Sequence, residues 1–332
     1  MTTTPTHSQQ FWITNPGKGE IVKKPIPSRK KSELLIKTQY TGISRGTETL
    51  VFKGKVPPSQ YQTMRAPFQD GEFPCPIKYG YSNVGVCIEA PSTLASELVG
   101  KTVFSLFPHQ DYFVIPFENV ISLPSSVPSQ RAVLAASMET AVNAMWDGRP
   151  NIGDTIVIIG GGVIGLLVAY LSTRVHGTKV LLVDTDPRRE KIAQSLNVRF
   201  STEATSNCSP DLIFHASGQP SGLKTALSLA TADSTIVELS WYGDREVGLP
   251  LGERFHSHRL TLKSSQVSNL APHRRLRWDH QKRLQLALEL LGDDCLEVLI
   301  SGESQFAELP ELFSSNLNSS AMQLCHRIAY PD

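Results

Sequence analysis

The sequence lacks an apolar run long enough to cross a bilayer: its longest, from Thr155 to Tyr170, is interrupted by glycines. No apolar stretch follows the polar start MTTTPTHSQQFWITNPGKGE, so this segment does not read as a secretory signal. Neither sign of charge is in excess. Thirty-two Lys and Arg against 31 Asp and Glu leave a net charge of +1, which gives no general pull toward nucleic acid or an anionic membrane. Cysteine is scarce: Cys75, Cys87, Cys208, Cys295 and Cys325 are dispersed without a CxxC pair, which speaks against a disulfide framework or a structural zinc knot. A cytoplasmic protein is expected, acting on a small-molecule substrate, with no nucleic-acid or membrane partner.

What is present is an ordinary folded composition, 40% hydrophobic and 19% charged, over 332 residues, more than one core usually organises. Up to about Val127, short β-rich runs such as SELLIKTQYTGIS, NVGVCIEA and DYFVIPFENVISL alternate with Gly and Pro, the pattern of a compact, largely antiparallel or barrel-like domain. The grammar then changes. AVLAASMETAVNAMW has helical spacing, and apolar runs (TIVIIG, KVLLVD, PDLIFHASG, STIVELSW) alternate with helical stretches, as in a doubly wound parallel sheet. The expected division is a β-rich domain over 1–128, a dinucleotide-binding domain over 129–267, and a return to the first domain over 268–332. The basic stretch from His273 to Arg283 reads as the solvated face of an amphipathic helix, since Asp279, Glu289 and a series of leucines accompany it.

The strongest local signal is GGGVIG at 160–165. It follows a strand and opens an apolar helix through Val163 and Ile164, and Gly160, Gly162 and Gly165 fill G-x-G-x-x-G. The helix start offers N–H groups and partial positive charge to a pyrophosphate. The next strand ends in Asp184, 19 residues after Gly165, placed to accept from the adenosine ribose hydroxyls. An acid there favours NAD, whereas Arg188 and Arg189 keep NADP open as the cofactor. Later strand ends, His215 with Ala216, Ser217 and Gly218, then Ser240 and Trp241, are candidates to meet the nicotinamide half. His256 and His258 form an HxH pair without an acidic or thiol companion, so no metal site is expected there.

Taken along the chain, this order resembles the medium-chain dehydrogenase/reductase superfamily, whose best-known members are zinc alcohol dehydrogenases. TGISRGTE at 41–48 is similar to the segment bearing the family's first zinc-ligand cysteine, KYGYSNVG at 78–85 to its Gly-His-Glu-x-x-Gly segment, and NIGDTIVIIGGGVIG to its cofactor strand and turn. The resemblance implies an α/β protein with a GroES-like β-rich catalytic domain and a Rossmann domain, and pairing of two chains through the dinucleotide domains, with TLKSSQV at the edge. The departures matter as much. Ser44 stands in place of the cysteine and Tyr81 with Ser82 in place of His-Glu, so the thiolate, imidazole and carboxylate that zinc needs are missing, and a zinc-lacking subgroup is implied. GISRGTETLVFKGKVPP is similar to bacteriochlorophyllide a dehydrogenases, which implies a hydroxyethyl or similar side chain on a ring. The charged segment SQYQTMRAPFQDGEFPCP leaves a smaller polar heterocycle or sugar-like substrate open.

Hydride transfer to or from a carbonyl requires a partner for the oxygen and its proton. Tyr81 is the first candidate, with a neighbouring cation, Arg45, to lower its pKa; a salt bridge from Arg45 to Glu48 is the structural alternative. Ser44 and Thr47 can donate to the same oxygen, Glu139 is a carboxylate among apolar neighbours, and His109 can act as acid or base with Asp111 to orient it. The expected activity is a zinc-independent NAD(P)-dependent oxidoreductase acting on a secondary alcohol or ketone. Two alternatives stand: an enoyl- or quinone-type reductase, and a dinucleotide-binding sensor or scaffold without turnover.

Overall fold

The computed structural model describes residues 5–90, 96–204, 208–316 and 324–331. The chain forms two compact units, one of Met1–Ala136 with Leu288–Asp332 and the other of Ser137–Ala287.

The first unit is built on two sheets. In the smaller, Lys18–Pro25, His7–Asn15, Ile77–Lys78 and Asp70–Gly71 lie in that order, all pairs antiparallel. In the larger, Glu33–Ile43 is central: it pairs antiparallel with Asn83–Glu89, with Tyr112–Pro116 and with the late strand Cys325–Ala329. Chain 287 residues further on thus returns to the first unit, with Ile328 opposite Thr41. The apolar faces of these strands meet in a core containing Leu34, Ile36, Cys87, Val103, Phe113 and Ile115. Phe107 and Phe113 stack there with centroids 3.9 Å apart. The strand Glu33–Ile43 runs directly into Ser44 and the helix Arg45–Phe52, so one buried strand aims TGISRGTE.

The second unit carries six parallel strands in the order Arg199–Ser201, Lys179–Val183, Thr155–Ile159, Leu212–His215, Thr235–Glu238, Thr261–Ser264. The central strands are apolar on both sides, as a sheet covered by helices requires. Val157, Ile159, Ile213, Leu223, Leu227 and Ile236 form part of its core. Strand order reverses between Lys179–Val183 and Leu212–His215, on either side of the strand that feeds the glycine turn, which is where such sheets bind ligands.

The basic stretch corrects its sequence reading. The helix begins only at His280, after turns over 272–277, with Lys282 N–H donating to Asp279 Oδ1 at 2.7 Å. Nor is it a solvated face throughout, because Arg283 is 1% exposed. Its Nε lies 3.1 Å from Glu139 Oε1 and its Nη1 2.5 Å from Asn143 Oδ1, and Nη2 donates to the Val267 carbonyl. Counting charges along a segment cannot reveal that one of them has a carboxylate 144 residues away.

Candidate functional site

In the second unit the glycine turn has the form a dinucleotide needs. Gly160 has φ +108°, and a Cβ there would lie 2.6 Å from the backbone of Ser217; a Cβ on Gly165 would overlap the Gly160 carbonyl. Gly162 is different, with open space around the position of its missing Cβ. It caps the ten-residue helix Val163–Ser172, whose first intrahelical bond is Leu166 N–H to the Gly162 carbonyl. The N–H groups of Val163, Ile164 and Gly165 therefore have no acceptor within the helix, the condition under which a helix start receives a phosphate. Asp184 ends the neighbouring strand. Its Oδ2 accepts from Gly161 N–H at 2.5 Å and its Oδ1 from Asp186 N–H at 2.8 Å, so the carboxylate is held beside the turn with lone pairs remaining for ribose hydroxyls. These residues fit a dinucleotide. Arg188 is committed to Asp186 through Nε at 2.8 Å and Nη2 at 2.9 Å, and Arg189 is buried with its side chain against Gly161.

The strand ends from the sequence reading also converge. Ala216 N–H donates to the Ile159 carbonyl, Gly218 N–H donates to Ser240 Oγ at 3.1 Å, and Trp241 is half-buried on the following loop. Ser217 Oγ lies 2.6 Å from His215 Nε2, and His215 Nδ1 lies 2.8 Å from Glu238 Oε2. Glu238 had no signal in the sequence, because its pairing depends on the register that sets His215 opposite it on the next strand.

In the first unit, the second cluster gathers around Tyr81. Its phenol is hydrogen-bonded to the side chains of Ser44 and Thr47. Glu48, 2% exposed, accepts from Ser44 N–H at 2.7 Å through Oε1 and lies 2.9 Å from His109 Nε2 through Oε2. His109 Nδ1 is 2.7 Å from Thr41 Oγ1, which in turn is 3.3 Å from the Tyr330 hydroxyl. Tyr81, Ser44, Thr47 and His109 thus belong to one network whose centre, Glu48, the sequence reading had assigned only as a partner for Arg45. Arg45 itself is exposed on the first turn of the helix.

Two expectations need correction. Asp111 does not orient His109; it accepts from the N–H groups of Gln9 and Tyr112, and Glu48 with Thr41 hold the imidazole. Nor is the Tyr81 phenol pulled down by a cation. Burial and the nearby Glu48 carboxylate push it up to about 12, against the opposing hydrogen bonds of Ser44 and Thr47. Ser82 is buried and donates to the Val133 carbonyl at 2.5 Å. Lys78, also buried, donates to Gln110 Oε1 at 2.8 Å and is lowered by desolvation to about 8. Among the described residues no group of three or more His, Cys, Asp or Glu is placed to hold a metal ion. Glu139 lies in the other unit, in its ion pair with Arg283, and desolvation raises its carboxyl despite that partner.

The reason for glycine at position 80 is also visible. With φ +123° and the His109 ring 2.8 Å from where a Cβ would sit, an alanine is strained twice. Gly80→Ala is expected to cost about 1–3 kcal/mol in urea unfolding; unchanged stability would mean that the imidazole moves aside freely.

No family model matches the chain. The chain is 27% identical over 258 residues to starvation-sensing protein RspB of Escherichia coli, covering 68% of this chain and 74% of the relative. It is 24% identical over 310 residues to a D-guloside 3-dehydrogenase of Escherichia coli, covering 85% and 88%. These relatives are alcohol dehydrogenase-like members of the medium-chain dehydrogenase/reductase superfamily, and it is to them that the chain is similar. A solved structure of RspB from Escherichia coli with NADH superimposes with TM-score 0.77 at 19% identity, over 98% of this chain and all of that one. A zinc-binding dehydrogenase from Sinorhizobium meliloti bound to NADP gives 0.78 at 16% identity, with the same coverage. The superfamily's arrangement, a GroES-like domain with a Rossmann domain, is the fold seen here. Among the described residues no helix is long and apolar enough to cross a membrane.

Proposed function

We propose that the chain is an NAD(P)-dependent dehydrogenase/reductase that works without catalytic zinc, moving a hydride between nicotinamide and a secondary alcohol or ketone, with Tyr81 as the group that meets the oxygen. The observation that carries this reading is the replacement of a metal-ligand set by a hydroxyl network. A bound dinucleotide supplies the hydride donor or acceptor. In the direction of reduction, the Tyr81 phenol, pushed up to about 12 by burial and Glu48 and so protonated well beyond neutral pH, donates to the carbonyl oxygen. Ser44 and Thr47 orient that hydroxyl, and Glu48 with His109 forms the buried acid-base pair behind it. Zinc does not fit this donor set: the hydroxyls of Ser44, Tyr81 and Ser82 are neutral, Ser82 is spent on Val133, and His109 is bound on both nitrogens. Glu139 serves as the buried anchor for Arg283 instead of exchanging protons.

The Asp184 carboxylate and the commitment of Arg188 to Asp186 support NAD over NADP. Likeness to a D-guloside 3-dehydrogenase, together with the charged segment 59–76, supports a hydroxyl borne on a polar ring over a large tetrapyrrole. The test is turnover of NADH and NADPH against ketone, aldehyde and enone panels, and of the oxidised cofactors against alcohols, on protein of measured metal content. Active protein with substoichiometric zinc, unaffected by strong chelators, is expected. Zinc at one per chain in the active form, lost together with activity on chelation, would overturn the metal-free mechanism.

A further inference from the structure

The second unit contains a side-chain constellation that this reading does not use. His215 is fully buried at the end of its strand, with Nδ1 2.9 and 2.8 Å from the two oxygens of Glu238 and Nε2 2.6 Å from Ser217 Oγ. Glu238 is itself fixed, accepting from Ser240 N–H at 2.7 Å and from the Tyr242 hydroxyl at 3.1 Å. A carboxylate beside Nδ1 requires the ring proton there, so the neutral imidazole accepts at Nε2 from the Ser217 hydroxyl. The backbone of Ser217 packs against Gly160 of the glycine turn, and its side chain is only half-buried.

We propose that His215 and Glu238 are positioning residues for the nicotinamide half of the dinucleotide site, fixing Ser217 Oγ as a hydrogen-bond acceptor toward a ribose hydroxyl. The inference rests on the dinucleotide reading above. Protonation of His215 places a proton on Nε2, which then donates to Ser217 Oγ; Gln219 N–H already donates to that oxygen at 3.2 Å, so both lone pairs are taken and it no longer accepts from the ribose hydroxyl. It also puts a cation near the oxidised, positively charged nicotinamide, whereas the reduced ring is neutral. The other groups facing the imidazole are few. Ser240 Oγ at 3.4 Å and the Tyr242 hydroxyl at 3.5 Å come from the loop after Glu238, Ile159 lies in register on the other side, and the helix Pro220–Leu229 presents Gly222. Arg245, beyond them, is turned to the Gly218 carbonyl at 2.8 Å. Gly222 is informative because a Cβ there would overlap both Ser217 Oγ and His215 Nε2.

Binding of NAD+ and NADH to the intact protein, followed by calorimetry between about pH 6 and about pH 8, tests this. The expected result is that acidification weakens NAD+ by about tenfold and NADH by less. Ser217→Ala should weaken both by about fivefold at the upper pH. Gly222→Ala should abolish the pH difference although it replaces no member of the trio and improves helix propensity, because its Cβ displaces Ser217 Oγ and His215 Nε2. Should either variant fail to fold, the imidazole resonances of His215 in the wild type decide: they must shift when NAD+ binds. Wild-type affinities with no pH difference, variants that bind as the wild type does, or an imidazole indifferent to NAD+ overturn the inference alone. Absence of any dinucleotide binding by the wild type overturns the reading on which it rests.

Discussion

Tyr81→Phe is expected to lower kcat/KM for carbonyl reduction by about 10²–10⁴-fold, the range over which a positioned proton donor contributes. The loss should fall mainly on kcat, with dinucleotide affinity unchanged, because the phenol's partners Ser44 and Thr47 belong to the first unit and the glycine turn to the second. The pH profile separates this role from a structural one. A phenol raised to about 12 stays a proton donor through neutral pH, so the wild-type rate of reduction should not fall through any ionisation of Tyr81 until strongly alkaline conditions. Linkage gives the accompanying stability effect. A folded-state value above the ordinary 10.0 means that the contribution of the protonated phenol is fully present below pH 10 and is lost as pH rises toward 12. Tyr81→Phe should lack that alkaline loss while costing only about 1 kcal/mol near neutrality. A variant with wild-type kcat/KM would remove Tyr81 from the chemistry and leave the Glu48–His109 pair as the remaining proton carrier in that unit.

What the sequence revealed and what it hid follow from the range of the interactions involved. The glycine turn was legible because its requirements are local: Gly160, Gly162 and Gly165 answer to a backbone conformation, an open approach and a close helix–strand contact, all within six residues. The alternation of strands and helices was legible for a similar reason, since a covered parallel sheet needs apolar strands on both faces. Glu48 was hidden. Its spacing from Ser44 suits a helix, but its pairing with His109 spans 61 residues and joins that helix to the segment between Thr102–Ser105 and Tyr112–Pro116. His109 was visible as a residue type, yet Asp111, two residues on, accepts from the backbone N–H groups of Gln9 and Tyr112, and nothing in the local spacing shows that these capture it first. His215 was seen as a strand end, but Glu238 was not, since only the register of adjacent parallel strands brings them together.

Arg283 marks the point where linear reading failed most, and it carries the largest expected effect on stability. Both it and Glu139 are almost fully enclosed, so each has given up water for the other. Removing one partner leaves a buried charge without compensation, and Arg283→Met is expected to destabilise the protein by about 3–5 kcal/mol in urea unfolding. Part of that deficit should vary with pH in a defined direction. Desolvation already raises the Glu139 carboxyl above its ordinary 4.5 in the presence of Arg283, which opposes the shift; without the guanidinium it must rise further. A carboxyl whose folded value is raised binds its proton more tightly in the folded state, so stability falls as pH rises from the unfolded value through the folded one. The deficit of Arg283→Met should therefore be smallest near pH 4.5 and grow toward neutrality. The rest, from the lost donors to Asn143 Oδ1 and the Val267 carbonyl, should not depend on pH. Glu139→Gln combined with Arg283→Met removes the stranded charge and should recover the pH-dependent part alone. A deficit that is flat with pH, or a double variant no more stable than Arg283→Met, would show that Glu139 finds water or another cation once the arginine is gone, and that the pair contributes through packing.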